Sequence, residues 1–176
     1  MTPKSSERHA PHYPSSLNES IVRVGVISDT HGQFSPRIMD AFAGVDLIVH
    51  AGDVGPQSIL LRLANITPEV IAVRGNNDYD LPLKLVEKTW AGGLTILVAH
   101  TPAHLHHALA EERRTNQGPV LAIHGHTHVP AFEQLDEITT ITCPGSATQP
   151  RVSGGPTVMI LQLTNGAVLS HQLIRV

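Results

Sequence analysis

The chain has 176 residues, enough for one domain with a substantial hydrophobic core. Apolar residues make up 41% and charged residues 15%, which argues against a disordered or coiled-coil chain, and the 3% of aromatic residues predicts an aliphatic core. The 12 Lys and Arg residues against 15 Asp and Glu give a formal net charge of -3, so we expect no general attraction to polynucleotides or anionic membranes.

The start of the chain is rich in Ser, Pro and charged residues and contains no apolar segment of the secretory type. We therefore expect residues 1–20 to form a disordered N-terminal tail and residues 21–176 to form one domain. No apolar run approaches the roughly 18 residues that a membrane helix needs. A single cysteine, Cys143, fits a reducing compartment. The sequence thus predicts a soluble, cytoplasmic protein.

The first half of the domain alternates short β-branched runs with segments that have helix start and stop signals. Ser35 suits the cap of the first helix, Pro36 its first turn and Gly44 its end. Because the order is β-α-β-α-β, we expect a parallel sheet with right-handed crossovers. The predicted strands are 21–28, 45–53 and 69–78, and the predicted helices are 35–44 and 55–66.

The second half is richer in strands and contains one further predicted helix, 102–118. A hairpin is indicated where Ala91-Gly92-Gly93 separates two apolar runs, and a second tight turn is indicated at 164–166. The elements together predict an α/β fold of two sheets with helices outside, in one domain. The predicted strands are 83–90, 94–100, 119–125, 131–135, 137–143, 157–163 and 167–176.

His, Asp and Asn side chains follow five of the predicted strands. In open α/β sheets, ligands bind beyond the carboxyl ends of the strands. Imidazole combined with carboxylate and amide oxygens suits Mn, Fe, Zn, Co or Ni. Seven candidates are too many for one tetrahedral ion and suit two ions roughly 3.5–4 Å apart that share a carboxylate. The candidate metal ligands are Asp29, His31, Asp53, Asn76, His100, His126 and His128.

These residues lie in a recognisable series of short motifs. DTH, GD, GNND, AH and GHTH follow one another over residues 29–128. The series resembles the signature of the calcineurin-like metallophosphoesterase superfamily, and CPGSATQPR at 143–151 resembles a loop of its small, single-domain prokaryotic phosphodiesterases. The resemblance covers nearly all of the chain after residue 20. It implies the family's two-sheet α/β sandwich, with flanking helices and four layers.

The resemblance also implies an activity: hydrolysis of a small phosphoester, most simply a phosphodiester, by a hydroxide that bridges two divalent metal ions. Mn is the first expectation for both ions, with Fe, Zn, Ni or Co as alternatives. Asp53 would bridge the two ions. Metal one would be held by Asp29, His31, Asp53 and His128, and metal two by Asp53, Asn76, His100 and His126.

One position departs from the family pattern. Asn77 stands where many relatives have a histidine proposed to protonate the leaving group, with Asp78 to orient it. An amide cannot act as a general acid, so we expect weak protonation of the leaving group, or protonation by His104. The enzyme would then prefer esters with acidic leaving groups, such as aryl diesters. Asn77, Arg74 and Arg151 are the expected contacts to the substrate phosphate.

Other functions and roles remain open at this point. The fold also occurs in a retromer subunit that has lost part of its metal set and acts by binding proteins, and seven intact ligand positions argue against such a scaffold here. A nuclease or cyclic-nucleotide phosphodiesterase is a third reading, and the acidic net charge disfavours polynucleotide binding. A homo-oligomer is compatible with the sequence. We expect structural roles for His50, His124 and Cys143.

Overall fold

The computed structural model describes residues 20–176, so the disordered tail predicted for 1–20 lies, apart from Ser20, outside the described residues. The described part of the chain contains ten strands and three helices. In chain order they are β1 (Val22–Ile27), α1 (Pro36–Ala41), β2 (Leu47–His50), α2 (Ser58–Ala64), β3 (Val70–Ala72), β4 (Val86–Ala91), β5 (Leu94–Ala99), α3 (Pro102–Glu112), β6 (Val120–Ile123), β7 (Pro130–Asp136), β8 (Thr139–Pro144), β9 (Thr157–Thr164) and β10 (Ala167–Arg175).

The strands form two five-stranded mixed sheets, in the orders β10-β9-β1-β2-β3 and β4-β5-β6-β8-β7. In the first sheet, β1 pairs parallel with β2 and β2 parallel with β3, which confirms the parallel sheet predicted from the β-α-β-α-β order. In the second, β5, β6 and β8 are parallel neighbours. Antiparallel strands occupy the remaining positions in both sheets. The carboxyl ends of the parallel strands carry the predicted ligands.

Aliphatic side chains fill three separate layers. The central layer lies between the sheets, where Val26 and Val49 of the first sheet belong to the same cluster as Ile96 and Ile123 of the second. Outside the first sheet, a cluster of residues from α1 and α2 covers β1, β2 and β9. Outside the second sheet, Leu105 and Leu109 of α3 cover β5 and β6. This order of helices, sheet, sheet and helix confirms the predicted four-layer sandwich.

The two predicted tight turns are both present. Gly92 and Gly93 have φ values of 55° and 82°, and Asn165 and Gly166 have φ values of 49° and 78°. Two consecutive residues with positive φ are typical of the type I′ turn, whose twist matches that of the strands it joins. Each turn therefore fixes the register of the hairpin around it.

Most of the predicted helices and strands are shorter in the structure, and two of the differences have an identifiable cause. Helix α3 ends at Glu112 and not near 118, because the Asn116 side chain accepts a hydrogen bond from the Gly118 amide and donates one to Thr95 Oγ1. Strand β3 ends at Ala72 and not at 78, because the chain leaves the sheet to pass directly against Asp53. A Cβ at Gly75 would lie 2.1 Å from the Asp53 amide nitrogen, so only glycine fits there.

Candidate metal centre

The seven predicted ligands meet at one end of the sandwich. Asp29 and His31 follow β1, His128 follows β6, and ligand atoms of these three residues lie within 4.8 Å of one another. Asp29 Oδ1 is 3.1 Å from His128 Nε2, and the Nε2 atoms of His31 and His128 are 3.5 Å apart. The structure thus brings three of the four residues predicted for metal one into a single cluster.

Asp53 lies between this cluster and the remaining predicted ligands. Its Oδ2 atom is 4.0 Å from His31 Nε2 and 3.6 Å from His100 Nε2. Asn76 Oδ1 is 3.0 Å from His100 Nε2 and 3.0 Å from His126 Nδ1. Asp29, Asp53 and His100 also form a cluster with ligand atoms within 4.8 Å, so Asp29 is close to both halves of the centre.

Backbone carbonyls orient two of the imidazoles. The carbonyl of Ala51 lies 2.8 Å from His100 Nδ1, and the carbonyl of Gln149 lies 2.6 Å from His128 Nδ1. A carbonyl only accepts, so each Nδ1 carries the proton and each Nε2 presents a lone pair to the centre. Histidine ligands of metals are held in this way, by a hydrogen bond from the nitrogen that does not bind the ion. These two hydrogen-bond partners were not predicted from the sequence.

The donor set suits a cation. The lone pair of His128 Nε2 faces a carboxylate oxygen, and that of His100 Nε2 faces the Asn76 carbonyl oxygen. Asp29 Oδ1 is buried and has no hydrogen-bond partner among the described residues. Acceptors that face acceptors repel unless a cation lies between them. If every imidazole were protonated instead, positive charges would repel one another at short range. The ring centroids of His31 and His128 are 5.4 Å apart, and those of His100 and His126 are 5.1 Å apart. The residues therefore fit divalent metal ions.

Five of the seven ligand candidates have left-handed backbone conformations. The φ values are 54° at Asp29, 45° at His31, 54° at Asp53, 68° at His126 and 59° at His128. Non-glycine residues seldom adopt positive φ, and such conformations collect at functional sites where the surrounding structure enforces them. The sharp bends turn each side chain from the end of its strand toward the common centre.

The loop after β8 holds the bend at Asp29. Ser146 Oγ donates to the Asp29 carbonyl oxygen at 2.9 Å, and Thr148 Oγ1 donates to the same oxygen at 3.0 Å. Ser146 Oγ accepts from the amides of Thr148 and Gln149 at 3.2 and 2.8 Å. The sequence singled out this loop as a motif but not these hydroxyls, because their partners are backbone groups without a residue signal.

Asn77 and Asp78 both connect the loops that carry the ligands. The Asn77 side chain donates to Asp53 Oδ2 at 2.6 Å, and its amide donates to Asp53 Oδ1 at 2.9 Å. Buried Asp78 accepts from the amides of Gly55 and Gly75 at 2.9 and 2.8 Å. Both Asp78 oxygens are therefore used by the backbone, and Asn77 is placed against the central carboxylate.

Arg74 and His104 line one cavity of about 230 Å³, together with Asn76 and His100. The exposed imidazole of His104 has its Nδ1 atom 3.0 Å from Thr101 Oγ1. Arg151 lies elsewhere, in the loop after β8, where its amide donates to the His128 carbonyl oxygen at 3.4 Å and its side chain is exposed. The structure brings Arg74 and His104 beside His100, and it brings Arg151 beside His128.

Three further residues are buried or half-buried near the centre. Burial lowers the pKa of His50 to about 4, and His50 Nε2 lies 3.0 Å from Thr30 Oγ1. Burial also lowers the pKa of half-buried His124. Cys143 is buried, and this burial raises the pKa of its thiol, which disfavours a nucleophilic role.

Comparison with known proteins defines the class. The family model of the calcineurin-like phosphoesterase superfamily domain matches residues 22–166, and the chain belongs to this superfamily. A probable metallophosphoesterase of Methanothermobacter thermautotrophicus is 32% identical over 165 residues, which cover 86% of this chain and 91% of the relative. The Escherichia coli phosphodiesterase YfcE is 32% identical over 151 residues, covering 73% and 80% of the two chains. These findings confirm the predicted superfamily and its small prokaryotic branch, and they support hydrolase activity.

Solved structures agree on the fold. The structure of the phosphoesterase YfcE aligns with a TM-score of 0.63 and 22% identity, covering 86% of this chain and 98% of that chain. Vacuolar protein sorting 29 from Cryptosporidium parvum aligns with a TM-score of 0.69 and 18% identity, covering 89% and 99%. Likenesses at this identity show the fold alone. Within residues 20–176, no helix has the length and apolar character that crossing a membrane requires.

Proposed function

We propose that the protein is a binuclear metal-dependent phosphodiesterase. The observation that carries the proposal is the position of Asp53, whose Oδ2 atom lies between the imidazoles of His31 and His100, at 4.0 and 3.6 Å. A carboxylate oxygen that lies close to two groups of candidate ligands is well placed to be shared by two metal ions. The phosphodiesterase name of a relative at 32% identity supports the same activity.

The proposed division of ligands is the one that the family resemblance implies. Asp29 Oδ1 faces His128 and accepts no hydrogen bond from the described residues, which supports assigning Asp29 to the same ion as His128. Metal one is assigned Asp29, His31, Asp53 and His128, and metal two is assigned Asp53, Asn76, His100 and His126.

A site with nitrogen and oxygen donors and no thiolate is compatible with Mn, which is the ion we expect, and with Fe, Zn, Ni or Co as alternatives. When bound, two such ions lower the pKa of a water toward 7 and offset the negative charge of a phosphoryl group. The chain's own residues supply the placement. Ala51 and Gln149 fix the imidazoles through their carbonyls, and Asp78 ties together the loops after β2 and β3.

The remaining predicted residues are assigned to the substrate. The Asn77 amide group, already beside Asp53, is placed to donate a hydrogen bond to a phosphoryl oxygen. Arg74 lines the cavity next to His100 and Arg151 lies in the loop next to His128, so both arginines are assigned to the substrate phosphate. His104 shares the cavity with Arg74 and is assigned to leaving-group protonation, which Asn77 cannot perform.

The test is metal analysis followed by hydrolysis of a panel of phosphate mono- and diesters. Protein purified without chelator should bind two ions per chain and hydrolyse diesters when Mn is added. Fewer than two bound ions together with no turnover of any ester would overturn the proposal and would favour a binding scaffold.

Two variants test the ligand division. Asn76→Ala or His126→Ala should remove one ion and leave the other bound, because both side chains are assigned to metal two. His106→Ala is the matched control, since His106 is an exposed histidine of α3 outside the ligand clusters. Unchanged metal content in both ligand variants would contradict the assignment.

A further inference from the structure

The cavity of about 230 Å³ beside the candidate metal centre has a floor of proposed metal-two ligands, Asn76 and His100. A group bound there would lie directly next to a phosphoryl group held at the centre. Among the described residues that line it, there is no carboxylate, and the remaining walls are apolar, aromatic, cationic or hydroxyl-bearing. These walls are formed by Arg74, Gly75, Tyr79, Leu85, Thr101 and His104.

Two large side chains on this wall are exposed to solvent beside a polar centre. Tyr79 is 86% exposed and Leu85 is 42% exposed. A single exposed apolar residue has no special meaning, but an aromatic and an aliphatic side chain that line the same cavity at a proposed reaction centre indicate a surface that a ligand covers. Neither residue was singled out by the sequence, because a lone Tyr or Leu in a loop has no distinguishing pattern.

The volume limits what fits. Pockets for drug-sized ligands measure about 300–1,000 Å³, so a cavity below that range suits one ring and not an oligonucleotide. Its charge limits the ligand further, because the guanidinium of Arg74 favours the electron-rich face of an aromatic ring or an anion over a cation.

We propose that this cavity is the leaving-group subsite and that it selects a single aromatic ring, packed against Tyr79 and Leu85 with Arg74 beside it. The inference rests on the proposed function, and it names the substrate class as esters of a compact aryl alcohol. His104 lines the same cavity and is assigned to protonate the ester oxygen that departs with the ring.

Binding of phosphonates tests the subsite without turnover. Phenylphosphonate, cyclohexylphosphonate and methylphosphonate are titrated by calorimetry into the Mn-loaded protein. Phenylphosphonate should bind about 3–10-fold more tightly than cyclohexylphosphonate, the range expected for one aromatic contact. Methylphosphonate should bind more weakly still. Equal affinities for phenyl- and cyclohexylphosphonate, or no binding of either, would overturn the proposal.

Variants of Tyr79 test whether this residue causes the preference for phenylphosphonate. Tyr79→Ala should remove the preference for phenylphosphonate, and Tyr79→Phe should restore it. Trp90→Ala is the matched control: Trp90 is an exposed aromatic residue of β4 outside the cavity, so its loss should leave the preference intact. A preference that survives Tyr79→Ala would place the ring elsewhere.

Hydrolysis separates this inference from the proposed function. If no ester is hydrolysed, the proposed function fails, while the phosphonate titration still decides whether the cavity binds a ring. If diesters are hydrolysed, the KM values of Tyr79→Ala are compared for a phenyl ester and for a fluoroalkyl ester of matched leaving-group acidity. A change in KM that is no larger for the phenyl ester than for the fluoroalkyl ester would overturn the subsite and leave the proposed function standing.

Discussion

The hydroxyl of Ser146 organises the loop that holds Asp29. It donates to the Asp29 carbonyl oxygen and accepts from the amides of Thr148 and Gln149. Ser146→Ala removes all three hydrogen bonds and leaves both amides without this acceptor. A buried polar group left unpaired costs about 1–3 kcal/mol, and because Thr148 is only partly buried and Gln149 is exposed we expect the low end for each. The free energy of unfolding should fall by about 2–3 kcal/mol, which lowers Tm by roughly 5–10 °C.

The same substitution should weaken metal binding. The Gln149 carbonyl accepts the hydrogen bond from His128 Nδ1, so a loosened loop releases the imidazole that faces Asp29. Loss of a group that orients a metal ligand typically lowers affinity about 10–100-fold, and we expect about tenfold here. Calorimetric titration with Mn measures the affinity, and thermal unfolding in chelator measures the stability of the metal-free protein.

A second destabilised variant separates these effects. Leu109→Ala removes a buried side chain beneath α3, away from the loop after β8, and should cost about 2–5 kcal/mol. Measured well below its Tm, this variant should bind Mn as the wild type does. If Ser146→Ala also binds Mn with wild-type affinity, the loop does not position the metal ligands and the reasoning is refuted.

Three further predictions follow from single residues. Asn77→His places an imidazole beside Asp53, so hydrolysis rates across a series of aryl diesters should depend less on leaving-group pKa. An unchanged slope of log rate against leaving-group pKa would argue that position 77 is not where a general acid is lacking. His126→Gly should leave the metal-free protein about 0.5–1 kcal/mol more stable than His126→Ala in denaturant titrations, because glycine tolerates the positive φ at this position; equal stability would mean that the backbone there is unstrained. Burial lowers the pKa of His50 from 6.5 to about 4, so the unfolded chain binds the proton first as pH falls. The metal-free protein should therefore lose roughly 3 kcal/mol of stability between pH 6.5 and 4, and His50→Gln should lose correspondingly less; an identical pH profile for the two proteins would exclude His50 as the cause.

Much of the fold was predictable because each element carries its own local signal. β-Branched runs predicted the strands, and paired residues such as Gly92 and Gly93 predicted the tight turns. The ligand positions were predictable in part because parallel strands of one sheet end at a common edge, which brings Asp29 and Asp53 together. His128 follows β6 of the second sheet, so its contact with Asp29 depends on how the two sheets pack.

What the sequence did not predict depends on contacts between distant parts of the chain. The end of α3 is set by Asn116, whose side chain bonds to Thr95 of β5. The carbonyls that orient His100 and His128 belong to Ala51 and Gln149, and a backbone carbonyl is present at every residue whatever its type. Tyr79 is a candidate ligand-binding residue because of its position at the cavity, which its residue type alone does not indicate.

The left-handed conformations at five of the proposed metal ligands have a cost in stability. Asp29, His31, Asp53, His126 and His128 each hold a conformation that glycine adopts with little strain. At Asp29 and Asp53 glycine would relieve this strain but would also remove buried carboxylates that accept hydrogen bonds from Ser28, the His126 amide and Asn77. At exposed His126 glycine would relieve the strain without that loss. Backbone strain is therefore offset by hydrogen bonds at the two aspartates and not at His126.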